Sequence, residues 1–326
     1  LRAAVCNGAD AVYLGADTFN ARINARNFSA ADLQEAVVYC HVRGVKVHLT
    51  LNTLVLDREM PRAAELIRLA ASCGVDAFIV QDLGVVSLCR QLAPDVPIHA
   101  STQMSIHSLE GVMEAAALGC SRVVLARELP AEEIAHICKK SPVEIEVFVH
   151  GALCMCYSGQ CEMSALIGGR SGNRGACAQP CRLPYGVNEK AAGGHPLSLK
   201  DANLADYVQE LEQMGVACLK LEGRMKRPEY VAVVTDVYAR CIHEHRVPTP
   251  EENDRLALAF SRQGFTQGYL LDEKGPDMLG TRAAEPDREA EKMFTAARKA
   301  YADGERRRVP VKFYAKVRAG EPVMAA

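Results

Sequence analysis

A helix that closes on glycine, a two-residue link, then a short apolar run: this phrase repeats down the chain and restricts its fold more than any other feature. It appears as Gly8-Ala-Asp before AVYLG, Gly44-Val-Lys before VHLTLN, and Gly74-Val-Asp before AFIVQD. It returns as Gly119-Cys-Ser before RVVLARE and Gly215-Val-Ala before CLKLEG. Glycine accepts the left-handed conformation that ends a helix, and the apolar run behind it reads as a strand covered on both faces. Two further runs, VPIHASTQ (96–103) and VEIEVFVHG (143–151), follow Asp95 and Pro142. The segments between have helical period. Ser29 and Asp32 stand in capping-box spacing ahead of Leu33, Ala36, Val37 and Cys40, and Leu204, Tyr207, Val208 and Leu211 line another helical face. Seven strands alternating with helices predict an α/β protein of the (β/α)8, TIM-barrel-like kind. Residues 1–8 read as the back half of a helix, so an N-terminal truncation and a preceding eighth strand are expected.

Residues 1–245 are assigned to the barrel, with a cysteine-rich loop at 151–185. After Pro228 a long helix over 229–245 precedes a helical and turn-rich extension at 246–304, which contains GFTQGYLLDEKGPDMLG and a helix over about 287–302. The alternating VPVKFYAKVRAG marks 305–326 as the start of a truncated C-terminal β domain. Residues 195–199 read as an additional short strand.

Composition narrows the function classes. With 326 residues and 49% hydrophobic content, a sizeable core is expected. A net charge of -2 excludes a uniformly basic nucleic-acid coat, while local basic patches remain open. No run of eighteen apolar residues is present, so no membrane span is expected. The chain has 13 cysteines and no export signal, which points to a reducing cytoplasm.

Five of those cysteines fall in one polar stretch, EVFVHGALCMCYSGQCEMSALIGGRSGNRGACAQPCRLPY (146–185). Cys154, Cys161, Cys177 and Cys181 are separated by six, fifteen and three residues. That spacing names no metal by itself, but soft thiolates select zinc or an iron–sulfur cluster. A polar loop offers no apolar reason to hold so many thiols. Cys6, Cys40, Cys73, Cys89, Cys120 and Cys138 lie in helical segments or beside strands and read as buried, reduced thiols. Cys156 and Cys218 read as spares.

Other polar residues gather at the C-terminal ends of the strands, where a barrel keeps its active site. Asn52, Gln103, His150 and Glu222 are the catalytic candidates, alongside Gln81, Asp82, Ser101, Arg127 and Glu128. Arg22, Arg170, Arg174, Lys220 and Arg224 are the substrate-binding candidates, suited to phosphates or a small anion. Arg26, Arg182, Lys226 and Arg227 share that character. No G-x-S-x-G is present, and His243-Glu244-His245 lacks the spacing of a zinc peptidase helix. A Cys–His pair such as His150 with Cys154 is the remaining hydrolytic option.

The blocks Glu146-x-Phe148-x-x-Gly151-Ala152-Leu153-Cys154 and Gly159-x-Cys161-x-Met163-Ser164 resemble the signature of the collagenase-like peptidases, family 32 of the U class. GRSGNRGACAQPCR (169–182) and LKLEGRMKRPEYV (219–231) are equally similar, and the resemblance runs from residue 1 to about 280. It implies a [4Fe-4S] cluster on Cys154, Cys161, Cys177 and Cys181. The most similar branch supports oxygen-independent 5-hydroxycytidine formation in 23S ribosomal RNA. Sibling branches act on tRNA wobble uridine or hydroxylate a quinone precursor, and the family label itself implies peptidase activity. The resemblance further implies ribosomal RNA or tRNA as partner, and a small anionic metabolite, prephenate, as hydroxyl donor.

Overall fold

The computed structural model describes residues 1–21, 27–186, 194–223, 225–281, 288–302, 307–310, 312, 315–316 and 324–325. Its strands are β1 (Ala11–Gly15), β2 (Lys46–Leu51), β3 (Ala77–Val80), β4 (Ile98–Ala100), β5 (Arg122–Val124), β6 (Glu144–Ala152), β7 (Asp201–Asn203), β8 (Cys218–Leu221) and β9 (Phe265–Thr266). β1 to β6 pair in sequence order, each parallel to the next, and β8 joins β6 in parallel. Six helices connect or follow these strands: α2 (Ala30–His41), α3 (Met60–Ser72), α4 (Leu83–Leu92), α5 (Leu109–Ala117), α6 (Ala131–Lys140) and α9 (Pro228–His243). Shorter helices α1 (Arg2–Cys6), α7 (Met163–Gly168) and α8 (Val208–Gln213) complete this part. The expected α/β, barrel-like architecture is thus present, with strands buried on both faces.

Local rules explain the elements. All five glycines of the repeated phrase take positive φ, the conformation that stops a helix and turns the chain into the next strand. Ser29 and Asp32 close the capping box, with Asp32 N donating to Ser29 Oγ at 3.3 Å and Ser29 N to Asp32 Oδ2 at 3.1 Å.

The parallel arc does not close by a ladder. Among the described residues β1 pairs β2 alone and β8 pairs β6 alone. Side chains span the interval between them: Tyr13 Oη donates to the Leu221 carbonyl at 3.2 Å, and Lys220 Nζ stands 4.4 Å from the Tyr13 ring centre. A cavity of about 1860 Å³ runs along the axis and opens between these two strands.

Two strands were not anticipated. β7 pairs antiparallel with the last three residues of β6, beyond an irregularity between Phe148 and His150, and β9 pairs with β7. The extra strand expected at 195–199 is instead a turn with one bridge, Leu199 to Leu279, and the strand begins at Asp201. Its polar sequence Asp-Ala-Asn has poor strand propensity, so tertiary pairing decides it.

In the extension, α10 (Pro250–Ala259) and α11 (Arg288–Lys299) both pack on α9. Leu256, Ala259, Leu270, Ala290 and Phe294 belong to the same continuous core as the barrel strands. Of 305–326, a short antiparallel pair is described, β10 (Ala315–Lys316) with β11 (Met324–Ala325). No described helix is long and apolar enough to cross a membrane.

Candidate active site

Inside the barrel, His48 (β2), His99 (β4), Glu146 (β6) and Lys220 on the adjoining strand β8 form a polar layer where barrels ordinarily carry branched apolar side chains. Lys220 Nζ reaches Glu146 Oε1 at 2.5 Å, and Arg122 holds the other oxygen at 3.1 Å while also gripping Glu144. Burial pushes the Glu146 carboxyl up, but Lys220, then Arg122 and His99, overcome it and hold the carboxyl down at about 2. The His48 and His99 rings meet edge to face at 4.8 Å. Burial lowers them to about 4 and about 3, so both are neutral. Cys218 lies beside this network, its thiol pushed up to about 12 by burial and by Glu146.

Above that layer the strand ends form the mouth. Asn52 Oδ1 accepts from Ala21 N at 3.0 Å, and its Nδ2 donates to Ser101 Oγ at 3.3 Å. Gln81 Nε2 donates to the Gln103 carbonyl at 3.3 Å, and Ser101 Oγ accepts from Gln103 N at 3.2 Å. Across the mouth, Arg127 lies 3.9 Å over the Phe148 ring and reaches Glu222 at 3.4 Å. Lys220 lies 5.7 Å from that ring, so Phe148 is in contact with the cations of both the mouth and the charged layer. Asn52, Gln103, Glu222 and Lys220 are therefore brought to one end of the barrel or directly beneath it.

The cysteine loop begins where β6 ends and covers this mouth. One side is fastened to the loops after β4 and β5. Ser158 N and Oγ donate to Glu128, Ser105 Oγ donates to the Ser158 carbonyl, and Gln160 Nε2 donates to Ser105 Oγ at 2.8 Å. A Cβ on Gly159 would overlap the Gln103 carbonyl, and its φ of +83° suits glycine. The other side is fastened near β1 and β2. There Gly175, at φ +80°, packs on the Asn20 carbonyl, and Arg174 makes a two-pronged pair with Glu59 at 2.8 and 2.7 Å. Hydrogen bonding to Arg174 holds the Glu59 carboxyl down at about 2.

The thiols of Cys154, Cys161, Cys177 and Cys181 are free and share this loop. Burial raises the Cys181 thiol; Arg182 opposes this, and Cys154, Cys177 and Cys161 each add to it, so all three lie within electrostatic reach. Gln179 N donates to Cys177 Sγ at 3.3 Å. Among the described residues, no three ligand-type side chains are already drawn together around a point that could hold a metal ion. The donor chemistry fits a soft metal or cluster: four thiols on one loop, with Cys177 already accepting a backbone N–H.

The other candidates are placed differently. His150 is buried, packed on the rings of Tyr230, Tyr238 and Phe265, with Nδ1 3.4 Å from Tyr238 Oη and Nε2 without a partner. Burial lowers it to about 3, and none of its described contacts is a cysteine. Arg174 also donates to the Leu54 carbonyl, and Arg170 Nε donates to the Ala176 carbonyl at 3.0 Å, so both brace the loop. Arg182 braces it too, on the Leu153 and Leu199 carbonyls. Arg22 and Arg224 lie outside the described residues, as does Arg26. The inward residues His48, His99, Arg122 and Glu146 were not among the site candidates. Their one signal was a polar residue interrupting an otherwise apolar strand.

Curated relatives share long stretches of this sequence. The 23S rRNA 5-hydroxycytidine synthase of Escherichia coli is 42% identical over 275 residues, covering 83% of this chain and 41% of that protein. The tRNA hydroxylation protein P1 of Bacillus subtilis is 37% identical over 253 residues, covering 74% of this chain and 60% of that protein. A collagenase of Porphyromonas gingivalis is 34% identical, covering 84% of this chain and 71% of that protein. The chain thus spans less than two thirds of each of the first two relatives. Among solved structures, the U32 peptidase Mk0906 matches at TM-score 0.39 and 19% identity over 44% of this chain and 62% of that one, too slight a likeness to argue from. Residues 1–279 match Peptidase family U32 along their whole length, and the chain belongs to that family.

Proposed function

We propose that this chain is the barrel portion of a protein that hydroxylates a pyrimidine in RNA, with a [4Fe-4S] cluster on Cys154, Cys161, Cys177 and Cys181. The observation that carries the reading is that four free thiols share a loop fastened across the barrel mouth. The hydroxylation named for the two RNA-modifying relatives supplies the substrate class, with 5-hydroxycytidine in ribosomal RNA first and 5-hydroxyuridine in tRNA second.

Replacing a base C–H by C–OH adds one oxygen and withdraws two electrons from the base; the oxygen donor takes up those electrons and the displaced hydrogen, its C–OH becoming C–H. When bound, the cluster would supply one-electron transfer beside the mouth. Arg127, set over Phe148 and paired with Glu222, is the cation to which we assign a small anionic oxygen donor of the prephenate kind. Asn52 and Gln103 orient the rim through hydrogen bonds to Ser101 and Gln81. Glu222, ion-paired to Arg127 at 3.4 Å, is the carboxylate we assign to accept a proton there. His150, neutral and enclosed by aromatic rings, supports β7 and α9 rather than a nucleophile, which weakens the peptidase alternative.

Anaerobic purification with iron and sulfide analysis tests the reading. About four irons per chain, lost in Cys161→Ser and Cys177→Ser but retained in Cys156→Ser, are expected. An iron-free protein that cleaves collagen would contradict it.

A further inference from the structure

Several large apolar residues of the cysteine loop face outward, Met155, Leu166, Ile167 and Leu183 among them, and Tyr157 is the aromatic one. Tyr157 is 55% exposed, and among the described residues every other Tyr and Phe is buried or half-buried. Its ring is placed by a neighbouring ring and by the backbone on its C-terminal side. Its ring lies 5.7 Å from the His107 ring, and His107 Nδ1 donates to the Ser105 carbonyl at 2.7 Å. The backbone on its C-terminal side is fixed through Ser158 to Glu128 and through Gly159 against Gln103. Cys156 precedes it, and Cys154 and Cys161 flank it in the same loop. Lys274, paired with Asp272 at 2.5 Å, lies within electrostatic reach of the phenol.

An exposed aromatic face on the loop across the mouth, with a cation nearby, matches how proteins hold unstacked nucleobases. A base must leave its stack before chemistry can be done on it in a pocket. We propose that Tyr157, braced by His107, is the platform on which an unpaired nucleobase stacks as the target pyrimidine enters the mouth. This rests on the RNA reading above and names the residue that positions the RNA strand. It acts by positioning and takes no part in the bond changes.

The test measures binding of a fluorescein-labelled, single-stranded pyrimidine oligoribonucleotide to the full chain at two salt concentrations, alongside the modification level of RNA in cells carrying each variant. Tyr157→Ala is expected to weaken binding by roughly tenfold, with Tyr157→Phe restoring most of the affinity and His107→Ala falling between. Stacking releases no condensed counterions, so the Tyr157→Ala deficit stays the same factor at both salt concentrations. Unchanged affinity and unchanged modification in Tyr157→Ala, with the wild type binding normally, would overturn the platform and leave the RNA reading standing. A deficit in Tyr157→Ala that Tyr157→Phe does not restore also overturns it. Wild-type protein that neither binds the oligoribonucleotide nor modifies RNA in cells overturns the RNA reading itself, a separate result.

Discussion

Glu146 shows how much a single side chain inside a barrel depends on its neighbours. It is 1% exposed, and two cations keep it ionised there. Removing one partner of a buried pair leaves a charge poorly compensated, a change typically worth about 3–5 kcal/mol. Lys220→Met should cost about 3 kcal/mol in urea unfolding, since Arg122 still pairs with the carboxylate. Glu146→Leu with Lys220→Met should recover most of the loss, and equal destabilisation of the single and double variants would refute the pairing. Acid should expose the same interior. His48, His99 and His150 have folded values of about 4, 3 and 3 against an unfolded 6.5, so the unfolded chain binds more protons between those limits. Each histidine therefore removes up to about 1.4 kcal/mol of stability per pH unit as pH falls below 6.5. Glu146, folded at about 2 against 4.5, stabilises above 4.5, and that contribution is lost as pH falls through 2. Between pH 7 and pH 5 only the histidine effect operates, so the urea midpoint should be lower at pH 5 than at pH 7, and it falls further below pH 4.5 as Glu146 adds to it. A midpoint that does not change across that range would contradict the burial of these groups.

Among the elements, the cysteine loop is the one whose position depends on a few fastenings. Arg174→Ala removes the pair with Glu59 and the bond to Leu54, and the half-exposed setting limits the loss to about 1 kcal/mol. Chymotrypsin should then cut the loop about fivefold faster with the barrel otherwise intact, whereas equal cutting would show that the loop is held by other contacts. Gly159→Ala should displace the same loop through its clash with the Gln103 carbonyl. Much of this was legible beforehand. The glycine-punctuated strands could be read because parallel strands covered on both faces are continuous apolar runs, and the position of the cysteine-rich loop at the end of β6 because its thiols cluster in a polar segment behind that strand. The arginines were harder. Arg170 and Arg174 look like phosphate ligands in a basic stretch, yet the structure gives them to loop carbonyls and to Glu59. Which strand residues point inward depends on register between neighbours, so His48, His99 and Arg122 could not be picked out of single strands. β7 could not be read at all, because Asp201 and Asn203 become a strand through the end of β6.

At the scale of the whole molecule, seven parallel strands place a charged layer inside, a polar mouth above it, and a thiol-bearing loop across that mouth. The same loop carries the one exposed aromatic among the described residues. These parts make chemical sense together if an RNA base is drawn under the loop and oxidised there. The most direct test is mass spectrometry of nucleosides from total RNA of cells lacking the gene, complemented with either the wild type or Cys161→Ser. The deletion should lose one pyrimidine species that is heavier than its parent by a single oxygen, and the wild type alone should restore it. An identical nucleoside profile in the parent, deletion and both complemented strains would contradict the account.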